Sequence, residues 1–410
     1  MSKLLEGVRV LESAVLFNGD SLGALLGDLG ADVIKIESPG VGDYLRDFLG
    51  QITPHHSPAH IQVNKNKRSV TLDLRSDEGR AVFFELLQTA DVFIDGFAGN
   101  ACTKLGIGYE QQKVVKPDIV YCQYSGYGSS GPLSTLPTHG QMTNALVGAM
   151  PVELREDGLT YRTGPDYMGG TTSGGEGTAA GAVHAAFHVA AALVQRSRTG
   201  EGCFLDAAAA DAVIAQAWIA VTYNLNRHRV TDTATMPRDE EGEAGAAFYQ
   251  FYGTKDGRFL LFCAIEPKFW RNFCNGIDRP DLVASLNSAG PVDFGVGQLE
   301  LRRELQAIFA TRDLAEWVAF AVEHDIPMGP ANHLSDLLDD PHLKTRNILV
   351  EAEHPRAGAF TYVGEAVRVE GQPYEVRRPA PLLGEHTDEV LAELGKSATT
   401  IADLRERKVV

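Results

Sequence analysis

Cysteine is scarce in this sequence, and the few cysteines follow no pattern. The five, scattered over 410 residues, are Cys102, Cys122, Cys203, Cys263 and Cys274. Their odd number and the absence of Cys-x-x-Cys spacing argue against a zinc site and against the disulfide framework of a secreted protein. We therefore expect free thiols in a reducing, cytoplasmic location.

Positive charge is also in short supply. There are 37 Lys and Arg residues against 54 Asp and Glu residues, which gives a formal net charge of −17. A surface this acidic repels nucleic acid and anionic membranes, so neither is an expected partner. For the same reason, a polyanionic ligand would need a local basic pocket.

Long hydrophobic runs are missing as well. The longest apolar stretch, near residues 179–194, is rich in alanine and is interrupted by His184 and His188. A membrane span needs about 20 consecutive apolar residues, so we expect a buried helix instead. The two histidines lie one helical turn apart without a nearby carboxylate or cysteine, and we expect them to pack and not to bind a metal. The first ten residues, which include Glu6, lack the apolar core of a signal peptide.

Several common catalytic motifs are absent from the sequence, namely GxSxG, the P-loop and HExxH. The segment from Gly126 to Gly131 matches the letters of the dinucleotide fingerprint GxGxxG. It follows a late strand and precedes Pro132, which is more typical of a turn than of a cofactor-binding loop.

The first third of the chain alternates strand and helix patterns. A strand at 8–12, a helix at 21–29 and a strand at 33–37 form a βαβ unit, which implies parallel pairing. The pattern continues with a strand at 69–74, a helix at 79–90, and strands at 91–94 and 119–124. The sequence therefore predicts an open α/β sheet, with ligands bound at the carboxyl ends of its strands.

The later part of the chain changes character. Helices are predicted at 171–198 and 206–224, followed by an acidic linker at 229–246 that has no periodicity. Two strands, at 248–251 and 258–264, are separated by a turn and open a smaller α+β region that extends to about residue 330. A final helix is predicted from Asp388.

Basic residues cluster around the predicted strand at 69–74. Lys65, Lys67, Arg68 and Arg75 fall within eleven residues. Charge-assisted hydrogen bonds from such side chains bind phosphate. The alternative is that they form a solvated strand edge.

Two carboxylates and one histidine are candidates for catalysis. Asp166 and Glu176 lie among glycines before the alanine-rich helix, where a carboxylate can cap the helix or act as an exposed nucleophile. His139 lies on a loop, where a histidine can transfer protons near neutral pH or can simply be a surface residue.

Seven segments together carry a family resemblance. They are Leu5–Glu12, Leu29–Glu37, Asn64–Arg75, Leu105–Tyr109, Ser125–Gly128, Arg198–Gly202 and Arg378–Thr387. In content and order, from about residue 5 to 395, they resemble the class III CoA-transferase family (the CaiB/BaiF group). The resemblance implies an acyl-CoA:carboxylate CoA-transferase whose partners are an acyl-CoA thioester and a carboxylic acid acceptor. It implies no permanent cofactor and no metal, because CoA arrives as part of the substrate.

The resemblance also implies an architecture. The fold class is α/β, with a large Rossmann-like domain whose parallel sheet is built from both chain ends, a smaller α+β domain, and an interlocked homodimer. The expected parts are the N-terminal section of the large CoA-binding domain at 1–205, a helical and acidic linker at 206–246, the small domain at 247–330, and a C-terminal segment at 331–410 that returns to the large domain.

In this family an aspartate attacks the acyl-CoA to form a mixed anhydride, and CoA then returns to form an enzyme–CoA thioester. The family aspartate has a glycine four positions later, a spacing that Asp166 and Gly170 reproduce. The interval from Asp166 to Gly200 is longer than in the family, and counting back from Gly200 leads close to Glu176. Both residues stay candidates for the nucleophile, with Asp166 preferred for its local pattern.

The resemblance assigns the CoA site piece by piece. Positions that match nucleotide contacts are Leu72 and Arg75, and positions that match the adenine and pantetheine loop are Leu16, Phe17 and Asn18. The usual Asn-Phe-Arg-Pro-Gly motif is replaced here by Gly96, Phe97 and the three residues that follow, so its arginine is lost. Ser38 stands where an arginine is frequent, so the phosphate contacts are expected to differ from those of the family.

Two alternatives follow from the same resemblance. The family includes 2-methylacyl-CoA racemases, which move a proton between a histidine and an aspartate, and His139 and Asp166 match those positions. The lost arginine also suits a non-catalytic acyl-CoA-binding paralogue.

Overall fold

The computed structural model describes residues 3–139, 141–162, 177–232, 246–286 and 292–410. The chain divides into two compact units. The first comprises Met1–Thr222 and His342–Val410, and the second comprises Tyr223–Pro341. The first unit is thus built from both ends of the chain, and the region expected to form the small domain, 247–330, lies within the second unit.

A six-stranded parallel sheet forms the centre of the first unit. The strands before the second unit are β1 (Arg9–Ser13), β2 (Asp32–Glu37), β3 (Lys67–Thr71), β4 (Val92–Asp95), β5 (Val120–Ser125), β6 (Val152–Leu154), β7 (Thr160–Arg162) and β8 (Cys203–Ala208). The large sheet has the order β3-β2-β1-β4-β5-β8, and β6 pairs with β7 as a separate hairpin. The predicted parallel α/β sheet is confirmed, and its strand order matches that of a Rossmann-type sheet.

Helices cover both faces of this sheet. They are α1 (Asn18–Asp28), α2 (Pro58–Asn64), α3 (Asp77–Gln88), α4 (Ala101–Lys104), α5 (Tyr109–Val115), α6 (Met142–Leu146), α7 (Gly177–Thr199) and α8 (Ala209–Gln216); α9 (Trp218–Asn226) follows and has no buried residue. Leu11 and Phe83 belong to the hydrophobic core on one face, whereas Val10, Leu26 and Val189 belong to the core on the other. Nearly every residue of β1 to β5 is buried, as expected for a parallel sheet covered on both faces.

The helix predicted at 206–224 begins later than expected. Asp206, Ala207 and Ala208 pair in parallel with the last three residues of β5, so they extend β8. Sheet pairing here overrides the helical preference of an alanine-rich segment. The helical residues that follow are divided between α8 and α9.

The second unit has a small antiparallel sheet packed against helices. Its strands and helices are β9 (Gln250–Gly253), β10 (Phe259–Phe262), α10 (Pro267–Gly276), α11 (Leu299–Phe309), α12 (Leu314–His324) and β11 (Met328–Pro330). The strand order is β11-β10-β9. Aromatic residues fill its core, with Trp270, Phe273, Phe309 and Trp317 all buried.

The C-terminal end returns to the first unit with α13 (Pro341–Arg346), β12 (Leu349–His354), β13 (Gly358–Val363), α14 (Thr387–Glu393) and α15 (Ala398–Glu406). Val390 and Leu404 join the core around the sheet. However, β12 and β13 pair only with each other, and all six strands of the large sheet lie between Arg9 and Ala208. The expectation that both chain ends build the sheet is therefore wrong, because the C-terminal end covers the sheet with helices instead.

Candidate functional site

A cavity of about 190 Å³ opens at the carboxyl edge of the parallel sheet. Its lining comprises Val15–Asn18 after β1, Tyr44, Gly96–Ala98 after β4, Ser125 and Gly126 at the end of β5, Pro137–His139, and Thr178 in α7. Strands β1 and β4 are neighbours at the point where the strand order reverses, which is where open α/β sheets bind ligands. The volume is below the roughly 300–1,000 Å³ of pockets for drug-sized molecules, so the cavity suits the reacting end of a larger ligand.

The loop after β1 is held in an unusual conformation. Leu16 has a φ of 62°, in the left-handed region that non-glycine residues rarely adopt. Its N–H donates to both carboxylate oxygens of Asp43, at 3.1 and 3.2 Å. The Asp43 carboxylate also accepts the N–H of Leu45 at 2.8 Å. Asp43 thus compensates the cost of the strained backbone where that backbone lines the cavity.

Asp43 belongs to a buried network of charges. The Lys35 ammonium donates to Asp43 at 2.9 Å, to Glu12 at 3.3 Å, and to Asp20. The Lys67 ammonium donates to both carboxylate oxygens of Glu12, at 3.0 and 2.7 Å. All five side chains are buried, so their charges are screened little by water.

The network contains three acids and two bases, and the pKa values of two of the acids are shifted in opposite directions. Burial raises the pKa of Asp20 well above its usual range, against the attraction of Lys35. For Asp43, burial acts in the same direction, but Lys35 and a hydrogen bond from Asp20 outweigh it and lower the pKa. The Asp43 carboxylate therefore stays ionised behind the cavity wall.

The basic cluster predicted around β3 does not face a ligand. Lys65, Lys67 and Arg68 are at most 4% exposed, and each has a carboxylate partner. The pairs are Lys65 with Asp28 (2.7 Å), Lys67 with Glu12 (2.7 Å) and Arg68 with Asp32 (2.6 Å). Both interpretations of these three residues, as a phosphate pocket or as a solvated edge, are therefore wrong. Arg75 alone of the four is exposed.

Two buried side chains shape the loop after β4. The Asp95 carboxylate accepts the N–H of Phe97 at 3.0 Å and the hydroxyl of Tyr121 at 2.7 Å. Burial raises the pKa of Asp95. The Gln123 amide donates to the carbonyls of Phe97, at 3.0 Å, and Gly99, at 2.7 Å. The loop is thus fixed from behind, so that the backbone of Gly96 and Phe97 faces the cavity.

The loops after β1 and β4 contact each other through residues that have a small side chain or none. A Cβ on Gly96 would lie 2.5 Å from the Ala14 Cβ, and one on Gly19 would lie 2.4 Å from the same atom. Such distances are far inside van der Waals contact. Glycine at both positions is what allows the two loops to form one wall.

His139 lies on the opposite wall, on the loop after β5. Its neighbour Thr138 packs on Gly126, where a Cβ would lie 2.3 Å from the Thr138 hydroxyl. His139 is exposed and lines the cavity. A histidine there can exchange protons with a ligand.

The structure brings together most, but not all, of the predicted site residues. Leu16, Phe17, Asn18, Gly96, Phe97 and His139 line this one cavity. Leu72 is 1% exposed, with its side chain in the core, and Arg75 is exposed on the surface; neither lines the cavity. Asp166 and Glu176 lie outside the described residues. The first described residue after them, Gly177, donates its N–H to the Asn144 side-chain oxygen at 2.9 Å, and Thr178 reaches the cavity.

Several contributors were missed from the sequence, namely Tyr44, Asp43, Asp95 and Gln123. Asp95 directly follows the predicted strand at 91–94 and could have been found by the rule that ligands bind at the carboxyl ends of the strands. Asp43 and Tyr44 lie on a loop without a pattern. Gln123 lies inside strand β5. Its role shows only once β4 is known to be the neighbouring strand, because its amide bonds the loop after β4.

Metal binding has no candidate among the described residues, since they contain no cluster of three His, Cys, Asp or Glu side chains that could hold an ion. In particular, the Nδ1 atom of His188 lies 2.8 Å from the carbonyl of His184 in its own helix.

Comparison with known proteins gives consistent matches. The family model described as CoA-transferase family III matches residues 5–387. The formyl-CoA:oxalate CoA-transferase of Rhodopseudomonas palustris is 30% identical, over 99% of this chain and 97% of that protein. The succinyl-CoA:glutarate CoA-transferase of Mus musculus is also 30% identical, over 96% of this chain and 86% of that protein.

The fold has a close structural match as well. The crystal structure of Rv3272 from Mycobacterium tuberculosis superimposes with a TM-score of 0.74, at 25% sequence identity. The superposition covers 94% of this chain and 98% of that protein.

Proposed function

The chain belongs to CoA-transferase family III, and on that premise we propose that it moves CoA from an acyl-CoA thioester to a carboxylic acid through a side-chain carboxylate. The observation that carries the proposal is the convergence of Leu16, Phe17, Asn18, Gly96 and Phe97 on one cavity at the switch point of the sheet. These are residues that the resemblance assigns to the CoA-binding loops.

The proposed chemistry conserves the energy of the thioester at each step. The enzyme carboxylate attacks the thioester carbonyl, the C–S bond breaks, and CoA leaves as a thiolate, which yields a mixed anhydride. The thiolate then attacks the enzyme-side carbonyl of the anhydride and releases the donor acid, leaving an enzyme–CoA thioester. The acceptor carboxylate repeats the two steps in reverse. Asp166 is the preferred nucleophile, and Glu176 is the alternative.

The loops around the cavity suit this chemistry. Each step develops negative charge on a carbonyl oxygen, which backbone N–H groups stabilise best where water is excluded. The backbone of Gly96 and Gly126 lines the cavity. We propose Arg75 for contact with the nucleotide, together with the backbone of Leu72, since the Leu72 side chain is in the core.

The test is transfer of CoA to an added acid. The wild-type protein is mixed with an acyl-CoA and an isotopically labelled acid, and labelled acyl-CoA is measured. Asp166→Ala is expected to abolish the transfer, whereas Glu176→Ala retains it. Full activity in both variants would show that neither residue is the nucleophile.

His139 supports a second candidate function. It lines the same cavity as the proposed CoA loops, where a base could remove the alpha proton of an acyl-CoA. The candidate is therefore a 2-methylacyl-CoA racemase with His139 and Asp166 as the two bases. In deuterated water, alpha-deuteration without any acceptor acid favours the racemase, whereas CoA exchange into an added acid favours the transferase.

We further propose a homodimer in the cytoplasm. Helix α7 is long and apolar enough to cross a membrane by composition, but it packs on α1, β5 and β8. Its outer face and the helices that follow leave large apolar side chains exposed, including Phe187 (69%), Trp218 (61%) and Ile219 (58%). Exposed apolar patches of this kind are typical of subunit interfaces.

A further inference from the structure

We propose that the acyl group handled at this cavity ends in an uncharged, apolar or aromatic substituent and not in a second carboxylate. The inference rests on the proposed function, because it concerns the substrate of the same site. It separates this chain from the two relatives described above, whose names contain the dicarboxylates oxalate, succinate and glutarate.

Charge carries the first part of the argument. In the proposed reaction one carboxyl group of the acid becomes the thioester, so a second carboxylate would need a partner of its own. Arg and Lys are the usual partners, through charge-assisted hydrogen bonds. Of the described residues that line the cavity, none is Arg or Lys, and His139 is the one side chain that can become a cation.

The cations of the buried network behind the cavity wall cannot be recruited. Lys35 and Lys67 are fully buried and bound to carboxylates, and Arg46 is paired with Glu37 at 2.7 Å. Freeing any of them would leave a buried carboxylate without its partner, which costs several kcal/mol.

The groups directly behind the wall are acidic. The Asp43 carboxylate bonds the backbone of Leu16, and the Asp95 carboxyl group bonds the backbone of Phe97. Asp43 is ionised, because Lys35 and its hydrogen bonds outweigh burial and lower its pKa. Neither group offers a second substrate carboxylate a positively charged partner at this wall.

Aromatic rings supply the second part of the argument. Phe17 and Tyr44 line the cavity, and Phe48 meets both edge-to-face, at 6.4 and 6.5 Å between ring centroids. Tyr44 and Phe48 are nevertheless 46% and 42% exposed. Such a wall gains free energy when it covers an apolar group, and it loses free energy when it removes water from a charged one.

The experiment compares two substrates of equal shape. In 4-methylpentanoyl-CoA, two methyl groups replace the two oxygens of the terminal carboxylate of succinyl-CoA. The dissociation constant of each is measured with the wild-type protein by competition against CoA, which requires no turnover. Transfer of CoA from each to an added acid is measured separately. We expect 4-methylpentanoyl-CoA to bind at least about tenfold more tightly.

A charged variant tests the cause. Tyr44→Arg places a guanidinium on the cavity wall and is expected to shift the ratio of the two dissociation constants about tenfold toward succinyl-CoA. Tyr44→Gln changes size and polarity without charge and is expected to leave succinyl-CoA the weaker ligand. Val114→Arg adds the same charge on an exposed site of α5, outside the cavity, and is expected to change nothing.

The outcomes separate the inference from the proposed function. Tighter binding of succinyl-CoA to the wild-type protein overturns the inference, whether or not CoA is transferred. The inference is also overturned if Tyr44→Arg and Val114→Arg change the ratio of the two dissociation constants equally. A preference for 4-methylpentanoyl-CoA without CoA transfer to any acid supports the inference about the acyl group and contradicts the proposed transferase chemistry.

Discussion

His60 is a buried histidine in the same region as the charge network. Neither of its ring nitrogens has a hydrogen-bond partner among the described residues. Burial, with the nearby charges of Arg46 and Lys35, lowers the pKa of His60 to about 2. The side chain is therefore neutral in the folded protein at every pH at which the protein is expected to work.

We predict that His60 makes the fold sensitive to acid. Its pKa is lower in the folded state than in the unfolded state, so its neutral form gives full stability at neutral pH. As the pH falls below about 6.5, the unfolded chain takes up a proton that the folded chain cannot, and stability is lost until the folded pKa is reached. Between pH 7 and pH 5 this amounts to about 2 kcal/mol.

The measurement is the free energy of unfolding in urea at the two pH values. His60→Met should reduce the loss between pH 7 and pH 5 by about 2 kcal/mol relative to the wild-type protein. The control is His228→Met, which replaces an exposed histidine and leaves His60 in place. An unchanged slope in His60→Met would contradict the prediction.

A single methyl group at Gly96 is predicted to disturb the cavity. Because the added Cβ would lie 2.5 Å from the Ala14 Cβ, the loops after β1 and β4 must move apart in Gly96→Ala. We expect the KM for acyl-CoA to rise about tenfold, since small displacements at a site cost activity steeply. Gly329→Ala, where nothing lies within 4 Å of the added atom, serves as the control. Equal KM values in the two variants would show that the close approach does not matter.

At the scale of single residues, the sequence predicted positions better than partners. Leu16, Phe17, Asn18, Gly96, Phe97 and His139 were named from the sequence and line one cavity. The lysines around β3 were misinterpreted because their partners, such as Glu12 and Asp28, come from distant parts of the chain. Their pairing depends on which strands are neighbours, which no local pattern contains. The roles of the first five residues in CoA binding, and of His139 in proton transfer, stay predictions.

At the scale of elements, the loop after β4 depends on a side chain from the next strand. Gln123, in β5, donates to two carbonyls of that loop. Gln123→Met keeps the length of the side chain and removes both hydrogen bonds. We predict a KM for acyl-CoA about tenfold higher, with a loss of stability of about 1–3 kcal/mol.

A matched glutamine separates these two effects. Gln112 in α5 is buried and donates to the carbonyl of Ile107 at 2.7 Å, outside the cavity. Gln112→Met should lose similar stability and keep the wild-type KM. If both variants raise the KM equally, the loop is not held by Gln123 in the way proposed.

The alternation of strand and helix patterns along the chain predicted the parallel sheet, because the spacing of apolar residues differs between strands and amphipathic helices. Boundaries were less accurate where tertiary pairing decides them. The residues from Asp206 to Ala208 have helical composition, yet they form a strand because β5 offers an unpaired edge. The sequence of this segment does not show that β5 has an unpaired edge.

At the scale of the whole molecule, the family resemblance is confirmed by the match over residues 5–387. The prediction that the C-terminal segment returns to the first unit also came from the family resemblance. No local pattern in the sequence indicates that return. The interlocked dimer stays a prediction.

The dimer can be tested through helix α7. Phe187 is 69% exposed on this helix, and we predict that Phe187→Lys shifts the protein from dimer to monomer, because a charge in an apolar interface is costly. Val114→Lys, at an 83% exposed position of α5, should stay dimeric. Sedimentation velocity over a range of concentrations measures both. A wild-type protein that is monomeric throughout would contradict the proposed dimer.

The central claim is that a side-chain carboxylate accepts CoA covalently. The most direct measurement is mass spectrometry of peptides after the protein is mixed with acyl-CoA and quenched in acid. We expect CoA to be attached, with loss of water, to a peptide containing Asp166, or else Glu176, and to be released by hydroxylamine. Transfer of CoA to an added acid with both peptides unmodified would contradict the account, and the absence of both adduct and transfer would favour a non-catalytic acyl-CoA-binding protein.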